Sequence, residues 1–279
     1  MIRNLPYKSL LHNGLTVEGY SRAAVQTYWR VPEMKIGFDL GAQPWAFMST
    51  PTWFVSHTHL DHIAALPVLV ARRRMMKMEP PVIYLPEHAI DPVNQILKAY
   101  TRLDRGRLPC ELLPVKRGGE IELSRELVVT AHAVTHTVPA LGFIVWERRN
   151  KLKDEYQSLS GEQIRDLRLG GTEVTHEIRM PRVAYLGDSS IEGLDRNGDM
   201  YRAEILIMEM TFAAKAHAAE EIDKHGHIHL DDIVERRERF ENQVIIAGHF
   251  STRYNGNGVE QLVSKSLPDM LGGRLQLWI

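Results

Sequence analysis

The stretch Phe54-Val-Ser-His-Thr-His-Leu-Asp-His-Ile63 decides how the chain is to be read. Three histidines and an aspartate fall within six residues, directly after an apolar run. Alternation along a strand puts His57 and His59 on one side, because side chains two apart share a face. Asp61 and His62 then fall in the turn that enters the next helix. Imidazole and carboxylate are the ligands of a hydrolytic zinc-type site, which needs three or four of them per ion. One short cluster cannot complete two such shells, so other segments must contribute.

Working outward, three more ligand-type residues stand at the ends of apolar runs. They are His136 in "AVTHTVPALGF", Asp188 in "VAYLGDSS" and His249 in "IIAGHFSTRY". A shared sheet would bring them to one edge, where active sites of layered α/β proteins gather. Each alone is an ordinary turn or surface residue, and only the HxHxDH cluster turns them into partners. An aspartate with two oxygens at Asp188 is suited to bridging two cations. His12, His88, His176 and His217 have no supporting neighbours and are assigned to the surface. His132 shares a strand with His136 and is assigned to packing or to support of a ligand.

Strand-like runs occupy 34–41, 53–57, 82–86, 126–134, 141–147, 183–188, 205–210, 243–249 and 274–279. Helical patterns fall at 61–78, 91–104, 161–169, 230–241 and 258–266. Asp91 and Pro92 read as the N-cap and first residue of a helix. Strands dominate early and alternate with helices late, which predicts an α/β layered fold with sheet inside and helices outside. Residues 1–279 read as one domain, since no linker divides them. The polar stretch 147–181 is an excursion from the sheet carrying a short helix.

The chain has 279 residues, a net charge of −1 and an ordinary hydrophobic content of 44%. These values predict a folded chain without a global basic signature for nucleic acid. A single cysteine, Cys110, excludes an intramolecular disulfide and a thiolate-rich zinc site. Without a leader-like or membrane-spanning stretch, the expected compartment is the cytoplasm.

"HTHLDH" with His136, Asp188 and His249 resembles the metallo-β-lactamase superfamily, which implies a four-layer αββα sandwich. "AEILIMEMTF" (203–212), "HGHIHLDDI" (225–233) and "HFSTRY" (249–254) resemble segments of the ribonuclease Z family. Stretches 151–175 and 240–254 look especially like its short, plant-type members. The resemblance implies two Zn²⁺ per chain, with Mn²⁺ or Fe²⁺ as the other candidates. His57, His59 and His136 would hold one ion; Asp61, His62 and His249 the other; Asp188 would bridge. Asp61 would also orient the attacking water, and Glu209 with His227 would serve the leaving oxygen. His225 and His229 would serve the structure of that loop. The implied activity is removal of the 3′ trailer from precursor tRNA by a cytoplasmic homodimer.

Two elements of the common bacterial members are missing, an early Pro/Lys/Arg/Asn loop and a long Gly-Pro-rich arm. Residues 147–181 stand in place of the arm and mix bases with acids. Better basic candidates for an RNA contact are "ARRRMMK" (Arg72, Arg73, Arg74, Lys77) and "TRLDRGR" (Arg102, Arg105, Arg107), whose alternative is a solvated helix face. A small-molecule hydrolase of a phosphodiester, lactone or β-lactam is the second enzymatic expectation. A binding module that keeps zinc for structure is the third.

Overall fold

The computed structural model of the protein describes residues 5–214 and 226–279. The early part of the chain forms β1 (Lys8–His12), β2 (Leu15–Arg22), β3 (Gln26–Val31), β4 (Ile36–Phe38) and β5 (Thr52–Phe54). It continues with α1 (Leu60–Ile63), α2 (Leu66–Met75), β6 (Val82–Pro86), α3 (Ile90–Asp104) and β7 (Glu111–Val115). These seven strands make one sheet in sequence order. β1 to β4 pair antiparallel, and β4 to β7 pair parallel.

The later part contributes β8 (Glu120–Glu122), β9 (Leu127–Val134), β10 (Ala140–Leu152), α4 (Gly161–Leu169) and β11 (Thr175–Tyr185). It goes on through α5 (Ile191–Asp195), α6 (Gly198–Arg202), β12 (Ile205–Glu209), α7 (Leu230–Glu235), β13 (Val244–Gly248), α8 (Gly256–Ser266) and β14 (Leu275–Leu277). The second sheet runs in the order β14 to β8, with β11 to β14 parallel.

Packing accounts for the four layers. Trp29, Phe38 and Phe54 of the first sheet meet Phe143, Tyr185 and Ile207 of the second in a buried core between them. Val55, Leu66, Leu69, Ile83 and Leu97 seal α2 and α3 onto the outer face of the first sheet. Leu194, Met200, Leu206, Ile233, Ile245 and Val263 do the same for α5 to α8 on the second. The αββα expectation holds.

Several elements differ from the sequence expectation. The helix expected over 61–78 is two, Leu60–Ile63 and Leu66–Met75. Pro67 lacks an N–H and its ring crowds the preceding turn, so it sits in the first turn of a new helix rather than inside a continuous one. Asp91 lies in the first turn of α3, which starts at Ile90, and does not cap it. β1 to β3 and β7 and β8 were not expected. Their alternation is blurred by polar residues on the solvent face, as in the buried–half-buried pattern of β2.

The polar excursion is the continuation of β10 and β11 beyond the sheet. The two strands pair from Trp146 opposite Pro181 to Leu152 opposite Thr175, after an irregularity at Val145/Trp146. α4 sits at the tip, opened by a capping box between Ser160 and Gln163.

Candidate active site

Both sheets deliver their chemistry to the same edge. β4 and β5 end at Phe38 and Phe54, next to Asp39 and to the segment that carries His57. β9, β11, β12 and β13 run out toward His136, Asp188, Glu209 and His249. The parallel pairing of β11, β12 and β13 makes this convergence a consequence of topology, not of local sequence.

His57, His59 and His136 form one cluster: His59 Nδ1 lies 3.1 Å from His57 Nε2 and 3.2 Å from His136 Nε2. Asp61, His62 and His249 form the second, with Asp61 Oδ2 3.7 Å from His62 Nε2 and 3.6 Å from His249 Nε2. Asp188 Oδ2 lies between them, 3.3 Å from both His62 and His249 and 3.8 Å from His57. The structure brings all seven residues together.

Four of the five inward-facing histidines, His57, His62, His136 and His249, are fixed by a bond at the opposite side of the ring. Ser56 Oγ meets His57 Nδ1 at 3.0 Å, and Asp39 Oδ2 meets His62 Nδ1 at 2.7 Å. His136 Nδ1 donates to the Gly226 carbonyl at 3.0 Å, and Thr211 Oγ1 meets His249 Nδ1 at 3.0 Å. Such outer bonds select the tautomer and the ring orientation of a metal ligand. The Nε2 atoms of His62 and His249 are buried and make no hydrogen bond. A buried orphan nitrogen is costly, and a divalent cation satisfies it. The donor set, imidazole and carboxylate, fits such ions.

Asp39, Ser56 and Thr211 did not stand out in the sequence. Asp39 is fully buried and accepts from Ser56 N at 2.7 Å, Ser56 Oγ at 2.8 Å and the Tyr185 hydroxyl, besides His62. Its φ of 56° lies in the left-handed region, as does the 59° of His249. Both non-glycine residues are held there by the surrounding bonds, a form of strain that collects at functional sites. An aspartate straight after an apolar strand, the signal used for Asp188, was present at Asp39 too.

Glu209 and His227 also meet. His227 Nδ1 lies 2.8 and 3.0 Å from the two oxygens of Glu209. Ser189 N at 2.7 Å and the Thr211 hydroxyl also donate to this carboxylate, so it is not a spare ligand. The His227 ring stands 5.0 Å from that of His136 and 5.4 Å from that of His249. Burial works against charge on His227, and the Glu209 carboxylate overrides it, pushing the imidazole up to about 9. Burial likewise opposes charge on Asp188, yet His249, His62 and His57 hold its carboxyl well below the usual range. Burial and the neighbouring His62 push His57 well down, which keeps it neutral and able to ligate.

Gly226 has a φ of +62°, and a Cβ there would stand 3.0 Å from the His136 Cα. Only glycine lets this loop approach closely enough for its carbonyl to hold His136. His229 caps α7 by accepting from Asp231 N, the structural role expected of it. His88 and His176 are exposed as expected. His12 is only half-buried and bonds Gln243, so it is tied to the fold more firmly than expected. His132 meets Thr130 at 2.8 Å. His217 and His225 lie outside the described residues.

A paired histidine–aspartate centre at the edge of an αββα sandwich defines a metallo-hydrolase of the beta-lactamase superfamily, and residues 52–250 match the beta-lactamase superfamily domain. Within it, the chain belongs to the tRNase Z (ribonuclease Z) family. It is 36% identical over 270 residues to tRNase Z TRZ1 of Arabidopsis thaliana, spanning 96% of both chains. It is 34% identical to the chloroplastic tRNase Z TRZ2 of the same plant, over 89% of this chain and 71% of the relative. Among solved structures, the short form of human tRNase Z shares the fold with a TM-score of 0.53 and 17% identity, covering 86% of this chain and 87% of that one. The metallo-beta-lactamase fold protein YhfI of Bacillus subtilis aligns with a TM-score of 0.62 at 13% identity, over 93% and 92%.

Proposed function

We propose that the protein is an endoribonuclease that removes the 3′ trailer of precursor tRNA, using two zinc ions per chain. The observation that carries this over a small-molecule hydrolase is the Glu209–His227 pair set beside the two ligand clusters. Its relatives in Arabidopsis bear the name tRNase Z, which supports the same substrate.

His57, His59 and His136 would hold one ion, Asp61, His62 and His249 the other, and Asp188 reaches both. When bound, such ions activate a water and neutralise charge on a phosphodiester oxygen. Asp61 orients the attacking water and takes its proton, its own Oδ2 being steadied by Ala24 N at 2.9 Å. The bond from phosphorus to the 3′-oxygen of the tRNA breaks as the water oxygen joins phosphorus. His227 gives its proton to that departing oxygen, and Glu209 stabilises the imidazolium beforehand. The products are a tRNA with a 3′-hydroxyl and a trailer with a 5′-phosphate.

A homodimer is the assembly the family resemblance implies, and Leu60 and Val68, beside the HxHxDH motif, are exposed apolar side chains available to it. No helix among the described residues is long and apolar enough to cross a membrane, in keeping with work on tRNA in the cytoplasm. End-group mapping of a precursor incubated with zinc-loaded protein tests the reaction. A 3′-hydroxyl on the tRNA and a 5′-phosphate on the trailer are expected; an uncut precursor, or a 3′-phosphate, overturns it.

A further inference from the structure

Topology decides which basic residues can reach the site. β4 to β7 run parallel, so their C-terminal ends share the site's edge and α2 and α3 return the chain to the other. Arg73, Arg74, Lys77, Arg102, Arg105 and Arg107 precede β6 or β7 and therefore lie toward the edge where those strands begin. Arg73 is also buried, donating to Met48 O at 2.6 Å and to Glu79 O at 2.9 Å. Arg74 pairs with Asp104 at 2.9 Å, and Arg72 donates to Gln43 O and lies over Trp45. The two basic runs favoured in the sequence are thus structural or misplaced for the cut.

The excursion formed by β10 and β11 fares no better at its base. Arg148 pairs with Glu122, Arg149 and Arg182 with Glu147, and Arg179 with Glu120. These partners neutralise the cationic face a phosphate chain would need.

Arg117 is different. It follows β7 at the site's edge, is exposed, and makes no ion pair among the described residues, whereas the adjacent Lys116 pairs with Glu87 at 2.9 Å. Beside it opens a cleft of about 500 Å³, lined by Pro86, His88, Val115, Val134, Pro139 and Leu141. That volume suits a nucleotide-sized ligand. The cleft adjoins the metal ligands through the chain itself, because Leu141 N donates to Ser56 O at 2.9 Å and Ser56 steadies His57. On the other side of Arg117 a hollow of about 180 Å³ leads to Arg196. Arg196 Nη1 donates to Thr135 Oγ1 at 3.3 Å, next to His136. Two guanidinium groups thus flank the end of β9 on the way to the centre.

We propose that this cleft is a subsite for the RNA strand on the 3′ side of the cut, with Arg117 on a trailer phosphate and the adjoining base on the apolar floor. The inference rests on the trailer-cleaving reading above. His227 attends the oxygen that departs with the tRNA body, on the β12–β13 side. The trailer, which keeps the phosphate, extends to the β6–β7 side, where the cleft opens. Arg196 is placed for a second phosphate.

The test is binding of a 5′-phosphorylated hexauridylate, labelled at its 3′ end, to the zinc-loaded protein by fluorescence anisotropy across a salt series. Arg117→Glu is expected to weaken binding about tenfold or more and to flatten the salt dependence by about one phosphate contact. Arg107→Glu makes the same charge change on the opposite edge and is expected to alter binding by less than about twofold. Unchanged binding in Arg117→Glu, or an equal loss in Arg107→Glu, overturns the subsite. Cleavage assays separate the two claims. Arg117-dependent binding with an uncut precursor leaves the subsite standing and sinks the trailer reaction. Cleavage with an unchanged KM in Arg117→Glu, for trailers of one and of six nucleotides, does the reverse.

Discussion

At the residue scale, the weight falls on His227 and Asp39. His227 serves as a proton donor only while protonated, and Glu209 holds it so up to about 9. A raised value means the competent form is present at lower pH and lost as pH rises through that value. Turnover of precursor is therefore expected to fall above pH about 9. In Glu209→Gln the falling limb should move toward the ordinary imidazole value of about 6.5. A limb that stays in place would show that another group sets it. Asp39 is fully buried, and it bonds His62, Ser56 and Tyr185 at once. Asp39→Asn replaces one acceptor by a donor in a buried network, and a loss of metal affinity of about 10–100-fold is expected by metal titration. The seven candidate ligands were legible in the sequence because the HxHxDH cluster stands out and makes partners of His136, Asp188 and His249. Asp39, Ser56 and Thr211 were not, since a supporting role depends on what lies across the sheet edge.

At the element scale, the strands that end at the site were found from sequence, β6 at 82–86 to the residue, as was the helix α4 at 161–169 in the excursion away from the site. Their apolar runs are short, continuous and closed by polar residues. β1 to β3 escaped notice, and so did the true length of β10 and β11. Beyond Val145 these two strands leave the core, and their pairing is carried by backbone bonds and by surface ion pairs such as Arg148–Glu177 and Arg182–Glu147, which give no apolar period. Around the second sheet, α5 and α7 are clamped by one carboxylate. Asp195 accepts from Tyr201 at 2.7 Å and from Arg236 at 2.8 Å. Burial opposes its charge, but Tyr201, Arg236 and Arg239 hold it below the usual carboxylate value. A depressed carboxyl stabilises the fold above its unfolded value of about 4 and loses that contribution as pH falls through its folded value. Asp195→Asn is expected to cost about 1 kcal/mol at pH 7. In urea titrations the difference from wild type should vanish near pH 2; a difference that persists there would point to packing instead.

For the whole molecule, two sheets with their helices outside were predictable from the order of strands and helices. Which edge a basic helix end would occupy was not, because that depends on which strands run parallel. Arg74 and Arg107 illustrate this: both read as candidates for RNA, and both approach the edge away from the metal ligands. The proposed dimer is tested at Val68, an exposed apolar side chain next to the HxHxDH motif. Val68→Asp, in the helix after the ligand motif, is expected to halve the mass seen by light scattering while metal content is kept. A wild-type protein that runs as a monomer would remove the dimer.

The central claim is that a two-metal centre cuts the precursor while the Glu209–His227 pair serves the leaving oxygen. The most direct measurement is single-turnover cleavage of a precursor tRNA by wild type and His227→Ala, with bound metal quantified in the same samples. The expected result is trailer release by wild type, and a rate at least about 10²-fold lower in His227→Ala at unchanged metal content. Equal rates in the two proteins, or a precursor left intact by metal-loaded wild type, would contradict it.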